Sequence, residues 1–195
     1  MKIKTSLRLS LAALILSALA QMGCTRTRGA GPLIEVPAGT FVQGWQADLD
    51  LRRNPVISLN VVGDQLLVGT RNNLVYALSV DGGAIKWSSQ VLGPDRTLGT
   101  PALVGDKIVF PTSNELIVYN KLGRREKEID LNRSVRSGIT GDGEFVYLGV
   151  DYGSQGRLSR VSLTAPYVPV RWELMTRGAV SSAPAVFQNV IYVAS

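Results

Sequence analysis

From Val56 to Val193 the chain is written in short apolar runs separated by small clusters of turn-forming residues. Runs of four to eight residues bounded by Gly, Asp, Asn and Pro are the signature of strands joined by tight hairpins, and no stretch carries the 3.6-residue period of a long amphipathic helix. In the first full unit the pattern predicts strands over Val56 to Val61, Gln65 to Gly69, Leu74 to Val80 and Ala84 to Ser88. Gly63-Asp64, Arg71-Asn72-Asn73 and Asp81-Gly82-Gly83 supply the turns between them. Four strands joined by short hairpins make an antiparallel meander.

The meander repeats. Trp45, Trp87 and Trp172 are separated by 42 and then 85 residues, and Gly63-Asp64 returns as Gly105-Asp106 after 42 and as Gly141-Asp142 after a further 36. Thr100-Pro101-Ala102-Leu103 returns as Ala183-Pro184-Ala185-Val186 after 83. A second unit is expected over Ala102 to Val104, Lys107 to Phe110, Leu116 to Tyr119 and Lys127 to Leu131, with Ile129 near the place of the tryptophan. A third covers Gly138 to Thr140, Phe145 to Val150, Arg157 to Leu163 and Val170 to Leu174, with a longer hairpin over Asp151 to Gly156. A fourth begins at Val180 and includes Ile191-Tyr192-Val193. A beat of 40 to 45 residues with four strands in each is that of a β-propeller blade. The expected fold class is therefore all-β, a propeller of four-stranded antiparallel blades with a period of about 42 residues. Trp45 to Ser195 holds three to four such blades, fewer than most closed propellers contain. The expectation is a piece of a larger propeller, or a chain that closes with other copies or a second blade-bearing chain.

The amino terminus follows different rules. Lys2, Lys4 and Arg8 precede a run from Leu9 to Ala20 that is apolar or small apart from two serines. Such a run is too short for the ~20 residues of a membrane-spanning helix and has the form of an export signal. Ala18-Leu19-Ala20 would suit an ordinary signal peptidase, releasing a chain that starts at Gln21. Gln21-Met22-Gly23-Cys24 instead resembles the lipobox of bacterial lipoproteins, although Gln21 and Met22 depart from the preferred residues. That resemblance implies lipid on Cys24, a signal peptide over 1–23, a lipidated tether over 24–44 and repeats over 45–195. Thr25 after the cysteine, in place of Asp, favours the outer membrane.

Removing the three basic residues of the leader leaves 18 basic against 15 acidic. So small an excess gives no electrostatic case for nucleic acid. The pairs Arg52-Arg53 and Arg124-Arg125 read as solvated loop positions. Histidine is absent and Cys24 is the only cysteine, so the commonest general base, a disulfide framework and a Cys-rich zinc site are all excluded within one chain. No catalytic, cofactor-binding or metal-binding residue is assigned. Asp64, Asp106 and Asp142 each follow a glycine and read as turn residues rather than calcium ligands or acids. The glycine-rich stretch Gly149 to Gly156 lacks the Lys and Ser/Thr of a phosphate loop. The tryptophans recur at one position of the repeat and are assigned to packing. Tyr152, Arg157 and Arg160, on or near the longest hairpin, are the candidate partner surface, since Tyr and Arg are enriched in binding hot spots.

Ala77-Leu78-Ser79-Val80-Asp81-Gly82-Gly83-Ala84-Ile85-Lys86-Trp87 resembles the repeat of the pyrroloquinoline-quinone-type propellers, Ala-Leu-x-x-x-x-Gly-x-x-x-Trp. Ser181 to Val186 followed by Val190 to Val193 is similar to the strand pair that opens the next repeat in those proteins. Two branches of the superfamily bear on function. The outer-membrane assembly lipoproteins of the BamB type carry such blades behind a lipobox, and that resemblance implies a non-catalytic scaffold, anchored at the periplasmic face of the outer membrane, whose partners are other envelope proteins. The quinoprotein dehydrogenases use the ring centre to hold quinone and calcium. A dehydrogenase fragment and a propeller that binds carbohydrate or polymer are the alternative readings.

Overall fold

A computed structural model describes residues 44–51, 53–152 and 155–195, so the expected signal peptide, Cys24 and most of the tether lie outside the described residues. The described residues contain fourteen strands and no helix. They form three four-stranded antiparallel meanders and one hairpin. The first sheet runs β1 (Val56–Val62), β2 (Gln65–Thr70), β3 (Leu74–Ser79), β4 (Ile85–Gln90). The second runs β5 (Ala102–Val104), β6 (Lys107–Pro111), β7 (Glu115–Asn120), β8 (Arg125–Asp130). The third runs β9 (Ser134–Asp142), β10 (Phe145–Tyr152), β11 (Gln155–Ser162), β12 (Val170–Met175), and the hairpin pairs β13 (Ala185–Phe187) with β14 (Val190–Tyr192). The expected strands are present within a few residues at each end.

Stacked blades bury both faces of their middle strands, and the sequence shows it. β3, β7 and β10 are continuous apolar runs, and Val75 to Leu78, Leu116 to Tyr119 and Val146 to Val150 are all buried. An outer strand touches the core at alternate positions only. β8, Arg-Glu-Lys-Glu-Ile-Asp, buries Ile129 and turns its charges to water, which also discourages pairing along the open edge. Between the first two sheets the core is built from Val62, Leu67, Val75, Ala77 and Trp87 against Ile108, Phe110, Ile117 and Tyr119. Between the second and third it is Val104, Val109, Leu116, Val118 and Ile129 against Ile139, Val146, Leu148 and Val161.

Two turns differ from expectation. Gly63 and Gly105 open two-residue hairpins with φ of 61° and 59°, a conformation that favours glycine. In the third sheet that place belongs to Gly143, φ 58°, followed by Glu144. Gly141 and Asp142 are still within β9, paired with Val146 and Phe145. Gly141 is needed for a different reason: a Cβ there would lie 2.6 Å from both the Leu103 carbonyl oxygen and Val104 Cγ2 of the preceding blade. The long hairpin expected over Asp151 to Gly156 is also shorter than the sequence suggests. β10 and β11 stay paired as far as Tyr152 opposite Gln155, because the ladder continues through the glycines, and Gly149 and Gly156 lie close against the chain at Val180 and at Gly178-Ala179.

Candidate functional site

Two of the recurring tryptophans, Trp45 and Trp87, stitch one repeat to the next. Trp87, on β4, lies over Gly123 in the β7–β8 turn of the second sheet, where an added Cβ would stand 2.8 Å from the Trp87 Cβ. Its indole Nε1 donates to Gln65 Oε1 at 3.0 Å and to the Lys121 carbonyl at 3.2 Å, and its ring stacks on Tyr119 at 6.1 Å. Ala77 pairs directly with Trp87 in the sheet, and its small side chain leaves room for the indole. Trp45 repeats the arrangement one blade earlier: it covers Gly83, φ 68°, and donates to the Val80 carbonyl at 2.6 Å. Trp172 sits against Tyr147 of its own sheet at 6.2 Å. The stitching glycines Gly83 and Gly123 were not singled out from sequence, although Gly83 stands inside the quoted repeat.

The turn aspartates hold lysines. Asp64 accepts a hydrogen bond from Lys86 Nζ, which holds its carboxyl below the usual carboxylate range. Lys107 Nζ donates to Glu126 at 3.1 Å and lies 3.3 Å from Asp106, and these bonds, Glu126 foremost, hold the ammonium above its ordinary value. Both pairs tie the first hairpin of a blade to its outer strand. Arg96 pairs with Glu115 at 2.5 Å, an interaction that raises the guanidinium further. Asn73, buried with φ 64°, closes the β2–β3 turn, and its amide donates at 2.7 Å to both the Gly93 and the Arg96 carbonyls. It thereby fastens the connection between the first two blades.

The three residues expected to form a partner surface are not brought together. Arg157 lies on the face turned to the second sheet, where it bonds Glu173 at 2.8 Å beside Ser159 and Arg133. Arg160 lies on the opposite face with its guanidinium 3.6 Å above the Phe145 ring, a cation–π geometry. Arg160 occupies the place opposite Trp172 that Ala77 occupies opposite Trp87. The side chain of Tyr152 lies outside the described residues. Among the described residues no group of three or more His, Cys, Asp or Glu is placed to hold a metal ion.

The fold is that of known propellers. BamB from Moraxella catarrhalis superposes with a TM-score of 0.57 at 18% identity, over 77% of this chain and 46% of that one. The computationally designed Ika4 protein superposes at 0.56 and 9% identity, over 78% and 91%. The Neurospora crassa Pan2 WD40 domain superposes at 0.51 and 13%, over 67% and 41%. The chain therefore spans less than half the length of the natural propellers it resembles. At these identities the likeness concerns fold alone. No curated protein sequence matches the chain. A family model described as outer membrane protein assembly factor BamB matches residues 28–139, more than half of the sequence. On that match, with blades of the expected form and stitching tryptophans in place, this chain belongs to the outer membrane protein assembly factor BamB family.

Proposed function

We propose that this chain is an exported envelope protein, anchored by lipid on Cys24 at the periplasmic face of the outer membrane, whose blades form a non-catalytic scaffold for proteins engaged in outer-membrane protein assembly. The observation that carries this reading is the family match over residues 28–139. The leader and lipobox-like Gln21 to Cys24 agree with it. So does the construction of the blades, in which the repeated tryptophans and the turn aspartates are engaged in packing and ion pairs. Stacked rigid sheets suit recognition by exposed loops and edges. Tyr152, Arg157 and Arg160 are the positions we assign to partner contact, with Arg160 foremost because its sheet face is turned away from the second blade.

The reading is tested in cells carrying the full chain as their only copy. Labelled palmitate should enter the chain and be lost with Cys24→Ser, and that variant should lower the amounts of folded barrel proteins in the outer membrane. Normal barrel levels after removal of the whole gene would refute the assembly role. Quinone- and calcium-dependent dye reduction by the purified protein would replace it with an oxidoreductase.

A further inference from the structure

The junction of the second and third sheets lacks the stitch of the first. Lys127 pairs with Val118 just before the irregular step in its ladder, as Trp87 pairs with Ala77, so Lys127 and not Ile129 holds the place of the tryptophan. The beat shortens from 42 to 40 residues between the turn glycines Gly83 and Gly123, which moves the place from 129 to 127, and Ile129 is buried in the core instead. The residues that receive the indole change as well. Val161, just beyond the irregular step of the third sheet, stands where Tyr119 stands in the second. The β11–β12 turn, Leu163 to Pro169, is longer than its counterparts and holds no glycine.

The missing indole leaves a cavity of about 160 Å³ lined by Val104, Val118 and Leu163, room enough for one aromatic ring. Its mouth carries Asp106, Glu126 and Glu144 against Lys107 and Lys127. Lys107 is held by Asp106 and Glu126, and Glu144 accepts from Thr164 Oγ1 at 2.8 Å. Three carboxylates against two ammoniums select against an anionic ligand. Half-buried Lys127 favours an electron-rich ring, which an ammonium attracts. One polar partner is set by the backbone. Leu163 N donates to the Glu144 carbonyl at 2.9 Å as Val80 N donates to the Asp64 carbonyl at 3.2 Å, so Leu163 repeats Val80. The Val80 carbonyl accepts the indole N–H of Trp45, and Lys121, at the same place in the second sheet, accepts that of Trp87. The Leu163 carbonyl is the third of the series, and the remaining indole, Trp172, lies against Tyr147 instead.

We infer that the cavity between the second and third sheets binds a neutral indole-type ring supplied from outside the chain, with its N–H directed to the Leu163 carbonyl. Both walls belong to sheets that already pack on each other, so the site does not depend on what lies beyond either end of the stack. It goes beyond the scaffold role and does not rest on it. A free indole compound and the tryptophan side chain of a bound polypeptide present the same ring, and the test separates them.

The full chain in detergent micelles, with labelled valine and leucine methyl groups, is titrated with indole, N-methylindole and N-acetyltryptophan amide. Indole should shift the methyl resonances of Val104, Val118 and Leu163 saturably, and leave unmoved those of Leu67 and Val75 at the junction that Trp87 closes. N-methylindole has no N–H to donate and should bind about 2–10-fold more weakly. Binding of the amide as tight as that of indole assigns the site to a tryptophan side chain, and binding of indole alone assigns it to a free compound. Lys127→Trp supplies the ring from within and should abolish the shifts; Val118→Phe fills the cavity from its wall and should do the same. Unchanged Leu67 and Val75 resonances in each variant separate loss of binding from loss of fold. No saturable shift with indole, equal shifts at both junctions, equal binding of N-methylindole, or binding that survives both substitutions would overturn the inference.

Discussion

Replacing Gly123 by alanine tests whether the tryptophan stitch holds the blades together. Gly123 has φ 77°, a region that costs an alanine about 1–2 kcal/mol. The new Cβ would also stand 2.8 Å from Trp87 Cβ and 2.5 Å from Trp87 Cδ2. Those are atoms at the base of a buried ring rather than the end of a flexible chain, so the indole must shift, and overpacking of this kind costs about 1–3 kcal/mol. The sum, about 2–5 kcal/mol, is a large share of the 5–15 kcal/mol typical of a folded domain. Gly82→Ala is the matched control, because nothing lies within 4 Å of its added Cβ. Both changes restrict the unfolded chain equally, by about 0.4–1 kcal/mol, so their difference isolates the folded state. Urea unfolding followed by tryptophan fluorescence reads it directly. With a slope of about 2 kcal/mol per molar urea, the Gly123→Ala midpoint should fall by about 1–2.5 M relative to Gly82→Ala. Midpoints that coincide would show that Trp87 can move without cost, and the stitch would not be what holds the first junction.

Asn73→Ala removes two hydrogen bonds to the Gly93 and Arg96 carbonyls and leaves a non-glycine residue at φ 64°; a loss of about 1–3 kcal/mol is expected in the same urea assay. Asp64 has a depressed folded pKa, so the Lys86 pair contributes above the unfolded value of 3.8 and is lost as pH falls through the lower folded value. Melting curves from pH 6 to pH 2 should therefore be flatter for Asp64→Asn than for the parent. Lys107 is shifted the other way, so its contribution is full below 10.5 and lost as pH rises through the raised folded value; Lys107→Gln should flatten the alkaline side of the melting curve only. Both pairs are exposed, and the effects are small. Arg160→Ala removes the guanidinium above Phe145. It should lower partner binding by the third sheet while leaving the junction between the first two sheets, read by Trp87 fluorescence, unchanged.

The strands were legible because each blade is local. A hairpin of two strands and a glycine turn is decided within about ten residues, and alternation or continuity of apolar side chains reports whether one face or both are buried. Local reading misplaces the third turn for the same reason. Gly-Asp at 141–142 looks like the earlier turns by eye, yet the turn needs its positive φ two residues later, and only the pairing of Asp142 with Phe145 shows where the ladder ends. Tyr152, Arg157 and Arg160 looked like one surface because they are close in sequence. In a pleated strand, residues an odd number apart face opposite ways, so Arg157 meets Glu173 on one side and Arg160 meets Phe145 on the other.

The class of structure, the beat of the blades and the family to which they belong were legible in the sequence alone, as were Trp45 and Trp87 as packing residues. These follow from hydrophobic periodicity and turn chemistry, which act over short stretches of chain. Which glycine lies under which tryptophan, and that Gly141 yields to a neighbouring backbone, emerge only once the sheets are stacked. Such facts depend on contacts between residues some 40 positions apart. They arise when one sheet is laid on another, and no local pattern carries the offset between them.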